Sequence, residues 1–322
     1  MSTCTNTVST LPGYYTADQV NEASAAFFKE NGYLVITDAL SDAEVDELNG
    51  EAVKICRGIH GKSAGTAALL PQFGEATDMS DDEVIRHYLC IHFPHKVSEI
   101  MRRYLAHKNL VRVLVSVIGP DVKCMQSMLF IKAAGKPGQA WHQDEDYIPT
   151  RDRSLTGAWM ALDDATVDNG CLWVIPGSHR HGILWPQYPQ NDKRFDCAEE
   201  SYDFPYTDAD SIPVEVPRGA IVYFNGYLLH RSLPNRKQSG FRRVLVNHYM
   251  SAQSFLPWQV DVSVPQAKND FRDIIMVAGR DPYAWKGTVS VSEMHVRPDG
   301  KGGCGDGRMS LDEFKAAQAS AR

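Results

Sequence analysis

Two histidines and an aspartate stand out by type and spacing: His142-Gln143-Asp144, and His230 lying 86 residues beyond Asp144. On an extended strand residues i and i+2 project from one face, so His142 and Asp144 can converge on a point. A later strand of a barrel would bring His230 alongside. Two imidazoles and one carboxylate leave open positions on an octahedral metal, the donor set of non-haem Fe(II) oxygenases that admit a chelating cosubstrate and oxygen. His-x-Asp also recurs by chance, and a lone histidine is more commonly a packed or surface group. Arg242 follows His230 by 12 residues, and Ser232 by two. A planar guanidinium is a two-pronged donor for a carboxylate, and the Ser232 hydroxyl adds a third hydrogen bond. The metal would take one end of a keto-diacid while Arg242 and Ser232 hold the other. The plainer alternative makes Arg242 and Arg243 solvated charges on an edge strand.

Other residues compete for these roles. Asp146 shares the parity of His142 and Asp144, but sits ~7 Å further along a strand, so it is a candidate for the substrate side. Residues 145–153 follow the metal strand directly, and loops placed there border the site, which brings in Tyr147, Arg151 and Arg153. His92, in His92-Phe93-Pro94-His95, is either a contact to substrate or cosubstrate or a polar group near a helix start. His179-Arg180-His181 follows the turn residues Pro176-Gly177-Ser178, which makes strand-like convergence on a second metal doubtful. His248 shares a face with Arg242 but lies ~20 Å along a straight strand, as a packed or hydrogen-bonded histidine would. Trp173 and Trp185 read as core.

Taken in order, several motifs resemble the phytanoyl-CoA dioxygenase family of Fe(II)/2-oxoglutarate oxygenases. They are Gln126-Ser127-Met128-Leu129, Trp141-His142-Gln143-Asp144, Ala158-Trp159, Asn169-Gly170-Cys171-Leu172, Pro176-Gly177-Ser178-His179, His230-Arg231-Ser232 and Gly240-Phe241-Arg242. The resemblance spans about Met125 to Met250. It implies a double-stranded β-helix, a jelly-roll or cupin-like form, with His142, Asp144 and His230 as iron ligands. Arg242 and Ser232 would bind the distal carboxylate of 2-oxoglutarate, and Trp159, Gln143, Gln126 and Met128 would line its pocket. The implied reaction consumes 2-oxoglutarate and O2, releases succinate and CO2, and oxidises a substrate C–H bond, with ascorbate as an aid in vitro. Related halogenases lack the carboxylate ligand; Asp144 is present, which favours hydroxylation or a related oxidation. A non-catalytic ligand-binding relative, or a metal cupin that uses no 2-oxoglutarate, are the competing readings.

The elements that must position these groups can also be read. Thr16 opens a helix running to Asn31-Gly32, and Gly32–Thr37 is β-rich. Ser41-Asp42-Ala43-Glu44 is a capping box that starts a helix through about Arg57. Residues 58–82 show no period and read as loop, and 97–118 reads as helix, with a junction at His107-Lys108-Asn109. After Pro120 come short β-rich runs: Lys123–Lys132, Leu155–Asp163, Cys171–Ile175, Val214–Val216, Ala220–Leu229 and Arg242–Met250. No helical stretch interrupts them, which disfavours a parallel βαβ sheet and favours an antiparallel barrel or two-sheet jelly roll. The chain therefore reads as mainly β with flanking helices: a helical region 1–120, a catalytic core 121–255 and an extension 256–322, together one structural domain. The extension reads as irregular with one helix, Ser310–Ala321.

Composition narrows the function classes. The 322 residues carry a net charge of −7 and are 43% hydrophobic and 23% charged, an ordinary globular balance that supplies no field for nucleic acid. No basic-then-apolar leader is seen, and no run approaches the ~18 apolar residues of a membrane span. Seven scattered cysteines without a CxxC pair fit reduced thiols in the cytoplasm. Gly300 to Gly305 satisfies G-x-G-x-x-G without a preceding strand. Asp306 to Glu313 matches half an EF-hand loop, but Gly302 and Cys304 would stand at its first ligand positions. A small-molecule substrate is expected, its identity and the oligomeric state being open.

Overall fold

The long β-rich runs of the sequence become the long strands of the computed structural model, which describes residues 11–60, 78–196, 199–254, 272–299 and 308–320. In chain order the elements begin with β1 (Tyr14–Tyr15), α1 (Glu22–Asn31), β2 (Tyr33–Ile36), α2 (Asp42–Cys56), α3 (Asp81–Arg86), β3 (Tyr88–His92), α4 (Glu99–Arg103) and α5 (Lys108–Val117). There follow β4 (Val122–Ala133), β5 (Gln139–His142), the single turn α6 (Asp144–Tyr147), β6 (Thr156–Ala161), β7 (Leu172–Val174), β8 (Gln187–Tyr188), β9 (Glu200–Ser201) and β10 (Ile212–Val214). The last are β11 (Ile221–Asn225), β12 (His230–Ser232), β13 (Phe241–Ser251), β14 (Ile275–Ala278), β15 (His295–Pro298) and α7 (Leu311–Ser320). Among the described residues no helix is long and apolar enough to cross a membrane.

Caps decide where the helices start. Thr16 opens only a 3-10 turn over Ala17–Gln19; the helix proper waits for Asn21, whose side chain accepts from the N–H groups of Ala23 and Ser24. Ser41 and Glu44 form the expected reciprocal box on α2. A second box, Ser80 with Glu83, starts α3 at the end of the stretch read as loop, of which 61–77 lie outside the described residues. The 97–118 segment breaks as its middle residues suggest, into α4, a 3-10 turn and α5.

The strands form a nine-stranded sheet, ordered β1-β2-β11-β6-β13-β4-β3-β15 with β14 also on β4, and a four-stranded sheet ordered β10-β7-β12-β5. One face of the large sheet, with Leu129, Ile131, Met160 and Leu245, packs under Val45, Leu48, Leu110 and Leu114 of α2 and α5. The other face, with Trp159, Val222, Val244 and Val246, packs against Leu172, Val174 and Val214 of the small sheet. Central strands are thus buried on both sides; β13 is buried almost throughout because each parity has its own partner layer. The architecture is mixed helix and sheet, with two sheets enclosing an inner core. The tail is less irregular than its sequence suggests, since β14 and β15 join the large sheet. The glycine-rich stretch 300–307 lies outside the described residues.

Candidate active site

The inner space between the sheets opens beside the ends of β5 and β12. His142 closes β5 and His230 opens β12, and the two are direct cross-strand partners with ring centroids 4.1 Å apart. Each ring is held in the same way: Nδ1 bonds the carbonyl two residues earlier, Ala140 at 2.8 Å and Leu228 at 2.9 Å. A carbonyl only accepts, so Nδ1 carries the proton and Nε2 keeps its lone pair for a ligand. Both Nε2 atoms face Asp144 Oδ1, at 3.6 Å from His142 and 3.5 Å from His230. The three donor atoms lie within 4.8 Å of one another, close enough to hold one metal ion.

Asp144 arrives there differently from the strand geometry expected. β5 stops at His142; Gln143 is still extended, and Asp144 is the first residue of α6. Its second oxygen accepts a hydrogen bond from His248 Nε2 at 2.8 Å. Burial by itself would raise the carboxyl, but His230 and then His248 outweigh it and hold Asp144 well below the usual carboxylate range. Burial, and then the neighbouring His230, push His142 down to about 4, so it stands neutral. Burial opposes the charged form of His230 too, yet Asp144 more than compensates and raises it. Two imidazole nitrogens and one anionic oxygen, converging on one point, suit Fe(II) with further positions open.

From this cluster a cavity of about 410 Å³ runs between the sheets, and Gln126, Met128, Trp159, Ser232, Arg242 and Tyr147 all line it. Arg242 is buried over the Trp159 ring at 5.4 Å, and burial pushes it down to about 10. Its Nε has no hydrogen-bond partner among the described residues. Arg243, by contrast, is committed to Asp163 at 2.7 and 2.9 Å. The apolar wall comes from Phe130, Leu172, Phe224 and Val246, and Glu199 joins it from the exposed side.

Five expected contacts are not in the wall. Gln143 points away from its neighbours His142 and Asp144, as strand alternation requires, and ties loops together instead. Its amide donates to Ile183 and Tyr227 carbonyls and accepts from the Trp185 N–H. Asp146 is exposed, because a helical turn rather than a strand carries it. Arg151 is bonded to Gln253 and Ser254, and Arg153 lies over Tyr227 beside a different surface hollow. His92 stacks on His295 at 4.2 Å, at the far side of Met128. Among the described residues His179 and His181 join no metal cluster; His179 bonds the Lys29 carbonyl.

The sequence reading took His248 as a packed or hydrogen-bonded histidine, as it is, without finding its partner Asp144, and it passed over Lys132. His248 had the right parity, and only its distance from Arg242 argued against it. Lys132 bonds Ser232 from behind the wall, at 2.8 Å, and its signal was a lysine closing the apolar run Met128–Ile131.

Residues 28–244 match the family described as phytanoyl-CoA dioxygenase (PhyH). The chain is 29% identical over 246 residues to phytanoyl-CoA dioxygenase 1 of rice (Oryza sativa subsp. japonica), covering 68% of this chain and 85% of that protein. It is 28% identical over 264 residues to the peroxisomal phytanoyl-CoA dioxygenase of rat (Rattus norvegicus), covering 78% and 74%. Among solved structures it is similar to SnoK, a non-heme alpha ketoglutarate dependent carbocyclase from nogalamycin biosynthesis. The TM-score is 0.58 at 19% identity, over 83% of this chain and all of that one, a likeness of fold.

Proposed function

The chain belongs to the phytanoyl-CoA dioxygenase family of Fe(II)/2-oxoglutarate oxygenases, and from that premise we propose that His142, Asp144 and His230 hold the iron while Arg242 and Ser232 hold the far carboxylate of 2-oxoglutarate. The observation that carries this reading is one cavity with three converging metal donors at one end and, at the other, a buried guanidinium that makes no ion pair among the described residues. We read the two-sheet core as a double-stranded β-helix, and the helices packed on its outer face as part of one structural domain.

Bound iron supplies the open positions and redox chemistry by which 2-oxoglutarate and oxygen become succinate, carbon dioxide and an oxidised small-molecule substrate. The chain supplies the rest. Main-chain carbonyls orient both imidazoles, and His248 turns Asp144 so that one oxygen faces the metal position. Arg242 gives a bidentate anchor, stiffened by Trp159, that sets how far the keto end reaches. Phe130, Leu172, Phe224 and Val246 keep water from the reacting atoms. Tyr147 and Glu199, on the open side, are where a substrate would meet the protein. Four buried cysteines, Cys56, Cys90, Cys124 and Cys171, are free thiols, which supports a reducing compartment such as the cytoplasm.

The test is spectroscopic. Anaerobic addition of Fe(II) and 2-oxoglutarate to metal-free protein should give a visible metal-to-ligand charge-transfer band that His142→Ala abolishes. Direct binding of both without a band would reject chelation at this site. Failure to bind either would reject the oxygenase reading.

A further inference from the structure

The closed end of the cavity holds more positive charge than one carboxylate needs. Lys132 on β4 is the cross-strand partner of Arg242 on β13, so the two project from one face. Both are buried, at 6% and 3% exposure. Lys132 Nζ donates to Ser232 Oγ at 2.8 Å and to the Leu233 carbonyl at 2.7 Å. Among the described residues neither cation makes an ion pair, since Arg243 has taken Asp163. An ammonium buried without a counter-charge is costly. Burial, and then Arg242, push Lys132 well below the usual lysine range.

Donor counting shows what this arrangement does. A hydroxyl has one proton and two lone pairs, while an ammonium, the form of Lys132 that a carboxylate bound beside it would favour, has only protons to give. At Ser232 Oγ one lone pair meets Lys132 and the other meets the Gln139 main-chain N–H at 3.3 Å. The hydroxyl proton is what remains, and Ser232 lines the cavity.

We propose that Lys132 is a positioning residue for the cosubstrate: it fixes Ser232 with its hydroxyl proton aimed into the cavity, so that Ser232 donates to the carboxylate that Arg242 grips. This rests on the 2-oxoglutarate reading above. A buried cation that weakens the empty fold is thereby retained for what it does to a neighbour.

Lys132→Met tests this, because it keeps the length and apolar stem while removing the charge. The ligand-free protein should melt about 2–4 °C higher. The Kd of 2-oxoglutarate for Mn(II)-loaded protein should weaken about tenfold or more, as for loss of a charge-assisted hydrogen bond. The Kd of 2-oxopentanoate, the same chain without the distal carboxylate, should not move. Ser232→Ala should weaken 2-oxoglutarate in wild type and add nothing in the Lys132→Met background, a coupling that a purely structural lysine would not produce. Additive losses, unchanged 2-oxoglutarate binding, or equal loss of both keto acids with a lower melting point would each overturn the proposal. Lys132→Gln reads the same cycle should the methionine variant fail to fold. Wild-type protein that binds 2-oxopentanoate and 2-oxoglutarate alike, or neither, would instead overturn the cosubstrate reading on which the proposal stands.

Discussion

His248 shows what a single side chain contributes and why spacing hid it. Six residues of strand separate it from Arg242, ~20 Å, and that distance seemed to place it away from the chemistry. The estimate is sound, but the cavity is itself long: β13 runs its length, with Arg242 at one end and His248 at the other, under His142, Asp144 and His230. Nothing local in the sequence could show that α6 would carry Asp144 across to meet it. That His142, Asp144 and His230 converge, and that Arg242 and Ser232 share their cavity, was legible because each has a chemistry that survives without knowledge of its neighbours. Gln143 was misplaced for the opposite reason, since a glutamine between two converging residues must face the other way. His248→Phe should keep the ring volume and loosen Mn(II) or Fe(II) by about 10–100-fold, as loss of a hydrogen bond to a ligating carboxylate does elsewhere. His248→Asn, which can still donate, should restore most of it. Competition against a chromogenic chelator measures both; equal affinity in His248→Phe and wild type would remove His248 from the metal end.

Strands and caps were read more reliably than the turns between them. β4 and β13 differ from their sequence-based limits by a single residue at each end, because long β-rich runs bounded by Gly-Pro and Gly-Phe leave little freedom. β5 was not delimited, being four residues long and set by partners rather than by pattern. Its pairing with β12 slips between His230 and Ser232, and Gly138 lies where that slip brings the backbones together. A Cβ at Gly138 would stand 1.9 Å from the Ser232 carbonyl oxygen, with no flexible side chain to yield. Gly138→Ala should therefore cost about 1–3 kcal/mol of stability, the scale of overpacking. It should also weaken 2-oxoglutarate more than metal, since the displaced backbone belongs to Ser232. Urea unfolding and calorimetry give the two numbers; equal losses of metal and keto acid would show that the whole β5–β12 pair had moved.

At the scale of the whole molecule the two-sheet expectation met a mixed architecture in which helices cover one face of a large sheet. What could not be read was the tail, since strands of four residues with little alternation take their shape from the edges they join. Those additions carry a pH signature. Burial, and then His295 and Arg297 beside it, push His92 down to about 3. Burial, and then Lys96, push His95 down to about 4. Both fold as neutral rings, so below the ordinary histidine pKa of about 6.5 the unfolded chain takes up protons that the folded one refuses. Stability should be complete above that pH and fall toward pH 4 by up to about 1.4 kcal/mol per pH unit for each ring. His92→Phe should flatten the slope by one proton's worth in urea midpoints measured between pH 7 and 4.5. An unaltered slope would assign the acid sensitivity elsewhere.

The family match ends at residue 244, whereas the outermost strand of the large sheet, β15, is drawn from residues 295–298. Its four residues finish in Pro298, which has no N–H to offer a neighbour, and they cover the row of backbone donors and acceptors along β3. A shortened protein ending before His295 would keep every group that converges around His142, Asp144 and His230. It would also expose β3 as a template for a second molecule, so its first failing should be self-association, growing with concentration, rather than lost chemistry.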